Sequence, residues 1–204
     1  MSQFWDGKFA ADEYVYGQQP NAHLTAQAHR LKPGARVLVP GDGEGRNGVW
    51  LAEQGLRVTS IDSSSVGLAK ARRLAHGRGV DIITEQADLL AWNWPRAAFD
   101  AVVSIFVHFA AADRKRVHAA MAAALRPGGV LILEAFRPEQ LTFSSGGPKD
   151  QSMLYAAGEL ADDFAALDIA LLEETETTLD EGPFHQGRGA VVRLVAVNKG
   201  SPQL

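Results

Sequence analysis

The sequence predicts an α/β fold: a seven-stranded, mostly parallel sheet that carries helices on both faces and ends in an antiparallel hairpin. As far as residue 135, short apolar runs alternate with segments of helical spacing, which is typical of parallel strands joined by right-handed crossover helices. Two β-like runs follow, 169–179 and 190–198. Their connection is too short for a crossover helix, so we expect these runs to pair antiparallel.

The first elements are set by proline and glycine. Residues 1–19 are aromatic and polar, and we expect an irregular lead-in there. Proline is well suited to the first position of a helix, so Pro20 predicts a helix over 20–31, stopped by Pro33 and Gly34. The apolar run 36–40 that follows is the first predicted strand.

Helix and strand then alternate twice. A helix is predicted over 47–54, with Gly55 as its C-terminal cap, and a strand over 57–62. Residues 64–77 form the next predicted helix, because apolar residues recur there at helical spacing (Leu68, Ala71, Ala75). A short third strand is expected over 81–84.

The fourth strand, 99–107, is nearly all apolar, as a strand covered on both faces should be. Asp113 is a candidate N-terminal cap for the next helix, whose apolar positions follow one face (Val117, Ala120, Met121, Ala124, Leu125). The Pro127-Gly128-Gly129 turn ends that helix, and 130–135 is the fifth predicted strand.

The segment before the hairpin breaks the alternation. Residues 142–150 are rich in glycine, serine and proline and predict a loop, while the spacing of Leu160, Phe164 and Leu167 predicts a helix over 152–166. No internal repeat or composition shift marks a second unit. We therefore expect residues 1–204 to form a single domain.

Composition excludes several classes of function. The net charge is −4, so no basic face for nucleic acid is predicted. The chain has no cysteine, which excludes disulfides and thiolate metal sites, and its six histidines lack the spacing of a helical metal site, so we expect no metal. The first residues lack the basic and apolar regions of a secretory signal, and no apolar run is long enough to span a membrane. The expected location is the cytoplasm, without membrane contact.

A glycine-rich loop follows the first strand. Gly41, Gly43 and Gly45 let the backbone turn sharply and approach a ligand, and Asp62 ends the second strand, where a carboxylate can accept hydrogen bonds from both ribose hydroxyls. Together these residues predict a site for a nucleoside-bearing cofactor. The Gly43-x-Gly45-x-x-Gly48 pattern also satisfies the dinucleotide fingerprint, so an NAD(P)-dependent oxidoreductase is the alternative.

These motifs resemble the class I S-adenosylmethionine-dependent methyltransferases, which have a Rossmann-like fold. The resemblance rests on the glycine loop, Asp62, Ala87-Asp88-Leu89 after the third strand, and the turn 125–129. The chain departs from the family at Val39, where an acidic residue is usual. The segments Trp5-Asp6, Tyr14-Val15-Tyr16-Gly17, Pro20-Asn21 and Gly43–Asn47 are further similar to small bacterial tellurite-resistance-type and thiopurine-methyltransferase-like enzymes.

The resemblance implies S-adenosylmethionine as cofactor and a set of residues that bind it. Arg46 opens a helix, where a cation opposes the helix dipole, so we expect an anion beside it: the cofactor's carboxylate or an anionic substrate, unless Arg46 is a solvated surface residue. Asp88 either meets the adenine amine or caps the following turn. The predicted cofactor-binding residues are Tyr16, Gly41, Gly43, Gly45, Arg46, Asp62, Ser63, Ala87, Asp88, Leu89, Ser104 and Ile105.

The resemblance also implies a substrate side. A histidine before the last strand faces the substrate in the tellurite-resistance-type proteins, so His185, with Arg46, is the predicted catalytic residue; the alternative is an exposed turn histidine. His108 either borders the pocket or is packed. Residues 1–19, through Trp5, Tyr14 and Tyr16, supply a candidate aromatic lid together with Phe143. Residues 142–167 supply a substrate-side loop and helix. The implied acceptor is a small molecule, such as a thiol, a chalcogen oxyanion or a similar soft nucleophile. A cofactor-binding domain without chemistry is a further alternative.

Overall fold

A computed structural model describes residues 2–200. Its sheet has seven strands: β1 (Arg36–Pro40), β2 (Arg57–Asp62), β3 (Ile83–Gln86), β4 (Phe99–Ile105), β5 (Leu125–Phe136), β6 (Asp168–Asp180) and β7 (Gln186–Val197). The α-helices are α1 (Ser2–Lys8), α2 (Ala22–Gln27), α3 (Arg46–Glu53), α4 (Ser65–Arg78), α5 (Ala111–Ala124) and α6 (Ala157–Asp163). Short 3₁₀ helices cover Ala28–Arg30, Pro138–Thr142 and Gln151–Met153.

The strand order is β3-β2-β1-β4-β5-β7-β6, and the first five strands are parallel. Strand β7 runs antiparallel to both β5 and β6, so the predicted hairpin is confirmed and its second strand lies inside the sheet. This order brings the carboxyl ends of β1 and β4 together at the middle of the sheet. Ligands of open parallel sheets bind at that edge.

Alternate residues of each central strand face two different apolar cores. Leu38 and Val102 pack toward α5 and α6, whereas Val37 and Val103 pack toward α2 and α3. Helix α4 joins the second side through Leu74, which contacts α3. Because a strand exposes its side chains alternately, both faces of the sheet are buried under helices, as predicted.

The irregular lead-in predicted for residues 1–19 is wrong in its first part, because residues 2–8 form helix α1. Trp5 and Phe9 are one helical turn apart, and their rings stack with centroids 5.5 Å apart. The Asp6 carboxylate accepts hydrogen bonds from the Ser64 hydroxyl at 2.7 Å and the Val66 N–H at 3.3 Å. Long-range contacts of this kind stabilise a helix too short to form alone.

Three predicted helix starts are displaced. Helix α2 begins at Ala22, with Asn21 rather than Pro20 at its boundary, because the Asn21 side chain accepts from the Leu24 N–H. Helix α3, predicted to begin at residue 47, begins at Arg46, and Gly45 occupies the capping position. Asp113 does not cap α5; the capping position is Ala110, and Asp113 lies in the first turn.

Other boundaries differ for local reasons. The predicted strand 81–84 is observed over 83–86, and the predicted strand 99–107 ends at Ile105, because Phe106 adopts a left-handed φ of 55°. Strand β5 begins at Leu125, so the turn 127–129 lies within it beside a register shift against β4. The predicted helix 152–166 is a 3₁₀ turn followed by α6, because Tyr155 leaves the helix to donate its N–H to the Phe136 carbonyl at 3.0 Å.

Candidate active site

The glycine loop after β1 is packed between α1 and α4. Gly41, Gly43 and Gly45 all have left-handed φ angles, between 57° and 87°. A Cβ on Gly45 would lie 2.6 Å from the Cβ of Ala71 in α4, so only glycine allows this contact. A Cβ on Gly43 would lie 3.1 Å from the Phe9 ring, which places the N-terminal segment directly over the loop.

Asp42 organises the loop from inside, a role that the glycine pattern did not predict. Its carboxylate accepts from the Gly48 N–H at 3.2 Å and from the Ser60 hydroxyl at 2.5 Å. Burial raises the pKa of Asp42 to about 7. A Cβ on Gly48 would lie 2.2 Å from an Asp42 oxygen. The third glycine of the dinucleotide pattern is therefore explained by packing on Asp42.

Glu44, the other acidic residue of the loop, fastens the N-terminal segment. It is buried, accepts from the Val15 N–H at 2.8 Å, and forms an ion pair with Lys70. Lys70 Nζ in turn donates to the carbonyls of Ala11, at 2.8 Å, and Glu13, at 2.6 Å. Neither loop carboxylate is free to replace the acidic residue that is missing at Val39.

Asp62 joins the glycine loop to the start of α4. One carboxylate oxygen accepts from the Gly43 N–H at 2.9 Å and the other from the Ser64 N–H at 2.8 Å. Burial raises the pKa of Asp62, although these two hydrogen bonds act to lower it. Each oxygen retains a lone pair. The side chain lies at the end of β2 beside half-buried Ser63, and its contact with a ribose stays a prediction.

The segment after β3 continues this edge. Ala87 donates its N–H to the Asp62 carbonyl at 3.0 Å. Asp88 is exposed and accepts from the Leu90 N–H at 3.0 Å, so it caps the following turn, which was one of its two predicted roles. Leu89 is buried, and so are Ser104 and Ile105 at the end of β4. The adenine contact of Asp88 is still a prediction.

Arg46 is buried at the first position of α3. Its Nη2 donates to a Glu181 oxygen at 2.8 Å, so the anion beside it within the chain is Glu181, and the solvated surface alternative is wrong. The Arg46 Nη1 is buried without a hydrogen-bond partner in residues 2–200. Burial would raise the pKa of Glu181, but hydrogen bonds from His185 and Arg46 outweigh it and lower the pKa to about 2.

His185 is buried, so the alternative of an exposed turn histidine is wrong. Its Nδ1 lies 3.3 Å from the Glu181 carboxylate, and its ring is 4.5 Å from that of Tyr16 and 4.7 Å from that of Phe106. Burial lowers the pKa of His185 despite the carboxylate. Because an ionised carboxylate only accepts, Nδ1 carries the proton and Nε2 keeps its lone pair in the neutral ring.

Asn21 connects this pair to the end of β5. Its Nδ2 donates to Glu181 at 2.8 Å and to Glu134 at 2.7 Å, while its N–H donates to Asn47 at 2.9 Å. Glu134 also accepts from Arg193 at 2.5 Å. We call this set the buried polar network; it comprises Asn21, Arg46, Asn47, Glu134, Glu181, His185 and Arg193. Arg46 and His185 are the only members of the buried polar network that the sequence analysis predicted as site residues.

His108 is a packed histidine, as one of its two predicted roles required. Its Nδ1 donates to the Met153 carbonyl at 2.7 Å and its Nε2 accepts from the Phe136 N–H at 3.3 Å, so both nitrogens are used. Burial lowers its pKa to about 4.

The loop 142–150 lies against His185: a Cβ on Gly146 would be 2.6 Å from the His185 ring. The Phe143 ring contacts the Arg188 guanidinium, and the Tyr14 hydroxyl donates to the Lys70 carbonyl. Of the candidate lid rings, Trp5 and Tyr16 therefore remain near the site.

Residues 2–200 contain no group of three metal-binding side chains. Within the same residues, no helix has the length and apolar character needed to cross a bilayer.

Known proteins are similar to this chain. Residues 37–129 match a family model described as a methyltransferase domain. The chain is 35% identical over 105 residues to demethylmenaquinone methyltransferase from Thermus thermophilus, covering 50% of this chain and 48% of that protein. It is 28% identical over 166 residues to ubiquinone biosynthesis O-methyltransferase from Methylocella silvestris, covering 75% and 65%.

The crystal structure of TehB from Haemophilus influenzae has the same fold, with a TM-score of 0.73 and 19% identity over 97% of this chain and 67% of that chain. The chain spans less than two-thirds of the two curated relatives, 48% and 65% of their lengths. The chain thus has the fold of the class I S-adenosylmethionine-dependent methyltransferases, and its residues 37–129 are similar to the methyltransferase-domain family.

Proposed function

We propose that this protein transfers a methyl group from S-adenosylmethionine to a small-molecule acceptor. One observation carries the proposal: the buried Glu181 carboxylate holds both Arg46, beside the glycine loop, and His185. The arrangement supports Arg46 as the cation for the cofactor and His185 as the base for the acceptor, because both side chains lie near the carboxyl ends of the central strands. Such an edge is where open α/β sheets bind ligands.

The residues present suit this cofactor. Arg46 Nη1 is buried and unpaired within the described chain, and a guanidinium is the donor best matched to a carboxylate, such as that of the methionine portion. The remaining lone pairs of Asp62 suit ribose hydroxyls, and the segment 87–89 borders the adenine side. Because an unpaired buried donor costs about 1–3 kcal/mol, a ligand carboxylate at Nη1 would be favourable.

When bound, S-adenosylmethionine supplies an activated methyl group: the acceptor's lone pair forms the new bond to carbon while the S–C electron pair returns to sulfur, leaving a neutral thioether. The protein's task is then to align the reactants, which can lower a barrier by about 7–11 kcal/mol. The aromatic walls around His185 (Tyr16, Phe106 and Phe136) exclude water from this position.

His185 acts as the general base in this proposal. Burial lowers its pKa, so the ring is neutral at neutral pH, and its Nε2 accepts the acceptor's proton. A base at this place favours an acceptor that carries a proton. We propose a soft nucleophile such as a thiol, which suits the aromatic surroundings; a chalcogen oxyanion needs no base and is the second choice.

The nicotinamide alternative has less support. Gly48, which completes the dinucleotide pattern, is required by its contact with Asp42, and the matched family and relatives are methyltransferases. A cofactor-binding domain without chemistry would have no use for a neutral histidine held by a buried carboxylate.

The proposal is tested by incubating the protein with methyl-labelled S-adenosylmethionine and a panel of thiols, amines, phenols and chalcogen oxyanions. We expect label in one acceptor class, with loss of transfer in Arg46→Met. Tight binding of the cofactor product with no transfer to any class would instead support the silent domain.

A further inference from the structure

An aromatic cage stands beside His185, and one of the chain's own cations fills it. The Lys8 ammonium lies 5.2 Å from the ring centre of Trp5, 5.3 Å from that of Tyr16 and 4.8 Å from that of Phe184. Contact of one cation with three aromatic rings is more extensive than the single cation–π pair that is common at protein surfaces. The Tyr16 ring is also 4.5 Å from the ring of His185, so the cage and the candidate active site share this side chain.

The cage is built from two parts of the chain that backbone contacts hold together. Trp5 and Tyr16 belong to the N-terminal segment, while Phe184 belongs to the β6–β7 turn. Phe184 donates its N–H to the Val15 carbonyl at 3.4 Å. A Cβ on Gly182 would lie 2.4 Å from the Gly17 nitrogen, so the two backbones are in direct contact. These contacts hold together the backbone segments that carry Tyr16 and Phe184, and Lys8 takes no part in them.

Lysine is a poor chemical match for this cage. A primary ammonium carries three N–H donors, and Lys8 Nζ makes no hydrogen bond or ion pair with residues 2–200. Burial lowers the pKa of Lys8, as expected for an ammonium held against rings. An alkylated ammonium has few or no N–H groups to leave unpaired. Aromatic cages are the usual protein sites for such groups.

We propose that the cage of Trp5, Tyr16 and Phe184 binds an alkylated ammonium group on the methyl acceptor, which displaces the Lys8 side chain. The inference rests on the proposed function and specifies the substrate class: small molecules that carry a tertiary or quaternary ammonium. The ammonium anchors the acceptor, and the reacting atom lies toward His185. Lys8 keeps the cage closed until the acceptor enters.

The test is a calorimetric titration of choline into protein saturated with S-adenosylhomocysteine. The neutral isostere 3,3-dimethyl-1-butanol has the same shape without the charge, and we expect it to bind roughly tenfold or more weakly than choline. Lys8→Met keeps the length of the stem but removes the competing cation, so choline should bind more tightly to this variant. Phe184→Leu should weaken choline binding roughly tenfold. Phe184 is 52% exposed, so this change should spare folding.

Phe143→Leu is the matched control, because Phe143 pairs with Arg188 5.8 Å away and lies outside the cage. Its choline affinity should equal that of the wild type. Equal binding of choline and its neutral isostere to Lys8→Met would overturn the proposal. So would a Phe184→Leu variant that loses affinity for S-adenosylmethionine but not for S-adenosylhomocysteine, because the cage would then hold the donor's sulfonium. Absence of S-adenosylhomocysteine binding would be a separate result, against the proposed function itself.

Discussion

Nδ1 of His185 lies 3.3 Å from the carboxylate of Glu181, four residues earlier in the same hairpin turn. The same carboxylate oxygen accepts from Arg46, 135 positions away in sequence, at 2.8 Å. Glu181 thus fixes the proposed base and the proposed cofactor-binding cation at once. It touches no reacting atom in this account and is a positioning residue.

Glu181→Gln should separate this role from simple packing. The substitution keeps the shape but removes the charge that raises the pKa of His185, so the acid limb of the pH–rate profile should move to lower pH. It also leaves Arg46 buried without its anion, and breaking a buried pair costs about 3–5 kcal/mol of stability. Glu176→Gln, which removes the exposed partner of Arg188, is the control and should change neither quantity. An unshifted acid limb in Glu181→Gln would remove Glu181 from the mechanism.

His185→Ala should lower turnover by about 10²–10⁴-fold, the usual contribution of a general base, while affinity for S-adenosylhomocysteine changes only a few fold. Added imidazole should restore part of the rate. In the wild type, the rate should rise with pH through a pKa below 6.5 and be level above neutrality, because only the neutral ring accepts a proton. Substituting the exposed His29 should have no effect. Full turnover in His185→Ala would exclude this residue as the base.

Arg46→Met should weaken binding of S-adenosylhomocysteine by roughly 1.5–3 kcal/mol, the range for a hydrogen bond to a charged group. A more specific test is the affinity for 5′-methylthioadenosine, which has the nucleoside and the thioether but no carboxylate. Its affinity should be nearly unchanged. If both ligands lost affinity equally, Arg46 would act on the loop's shape and not on the carboxylate.

Asp62→Ala, unlike Arg46→Met, should weaken binding of both S-adenosylhomocysteine and 5′-methylthioadenosine. Both ligands carry the ribose, so each should lose about 1–3 kcal/mol of binding free energy. Asp81→Ala, at an exposed site before β3, is the control. Unaltered affinity for either ligand in folded Asp62→Ala would contradict the ribose site.

Asp42→Asn should change the pH dependence of stability. Burial raises the pKa of Asp42 to about 7 from 3.8, so the native state holds a proton that the unfolded chain releases. The group's contribution to stability is therefore complete below the unfolded pKa and falls as pH rises toward the folded one. Between about pH 5 and about pH 7.5, the free energy of unfolding in urea should fall less for Asp42→Asn than for the wild type. Asp81→Asn, at an exposed site before β3, is the control and should match the wild type.

The sheet was predictable from local patterns, and the site only in part. Apolar runs and the short 180–189 connection were enough for the strands and the hairpin, because side-chain period and connection length restrict topology. The helix at residues 2–8 was missed, because contacts of Asp6 and Phe9 with distant residues stabilise it. Glu181 and Asn21 were also missed as site residues. Pro20-Asn21 stood out only as a segment of the resemblance, and no local pattern gives Asn21 or Glu181 a role, because their partners in the buried polar network come from distant segments.

The most direct test of the whole account is a calorimetric titration of the wild-type protein with S-adenosylhomocysteine and, separately, with NADH. The account predicts saturable one-to-one binding of S-adenosylhomocysteine that Asp62→Ala weakens, and no binding of NADH. Binding of NADH with none of S-adenosylhomocysteine would contradict it.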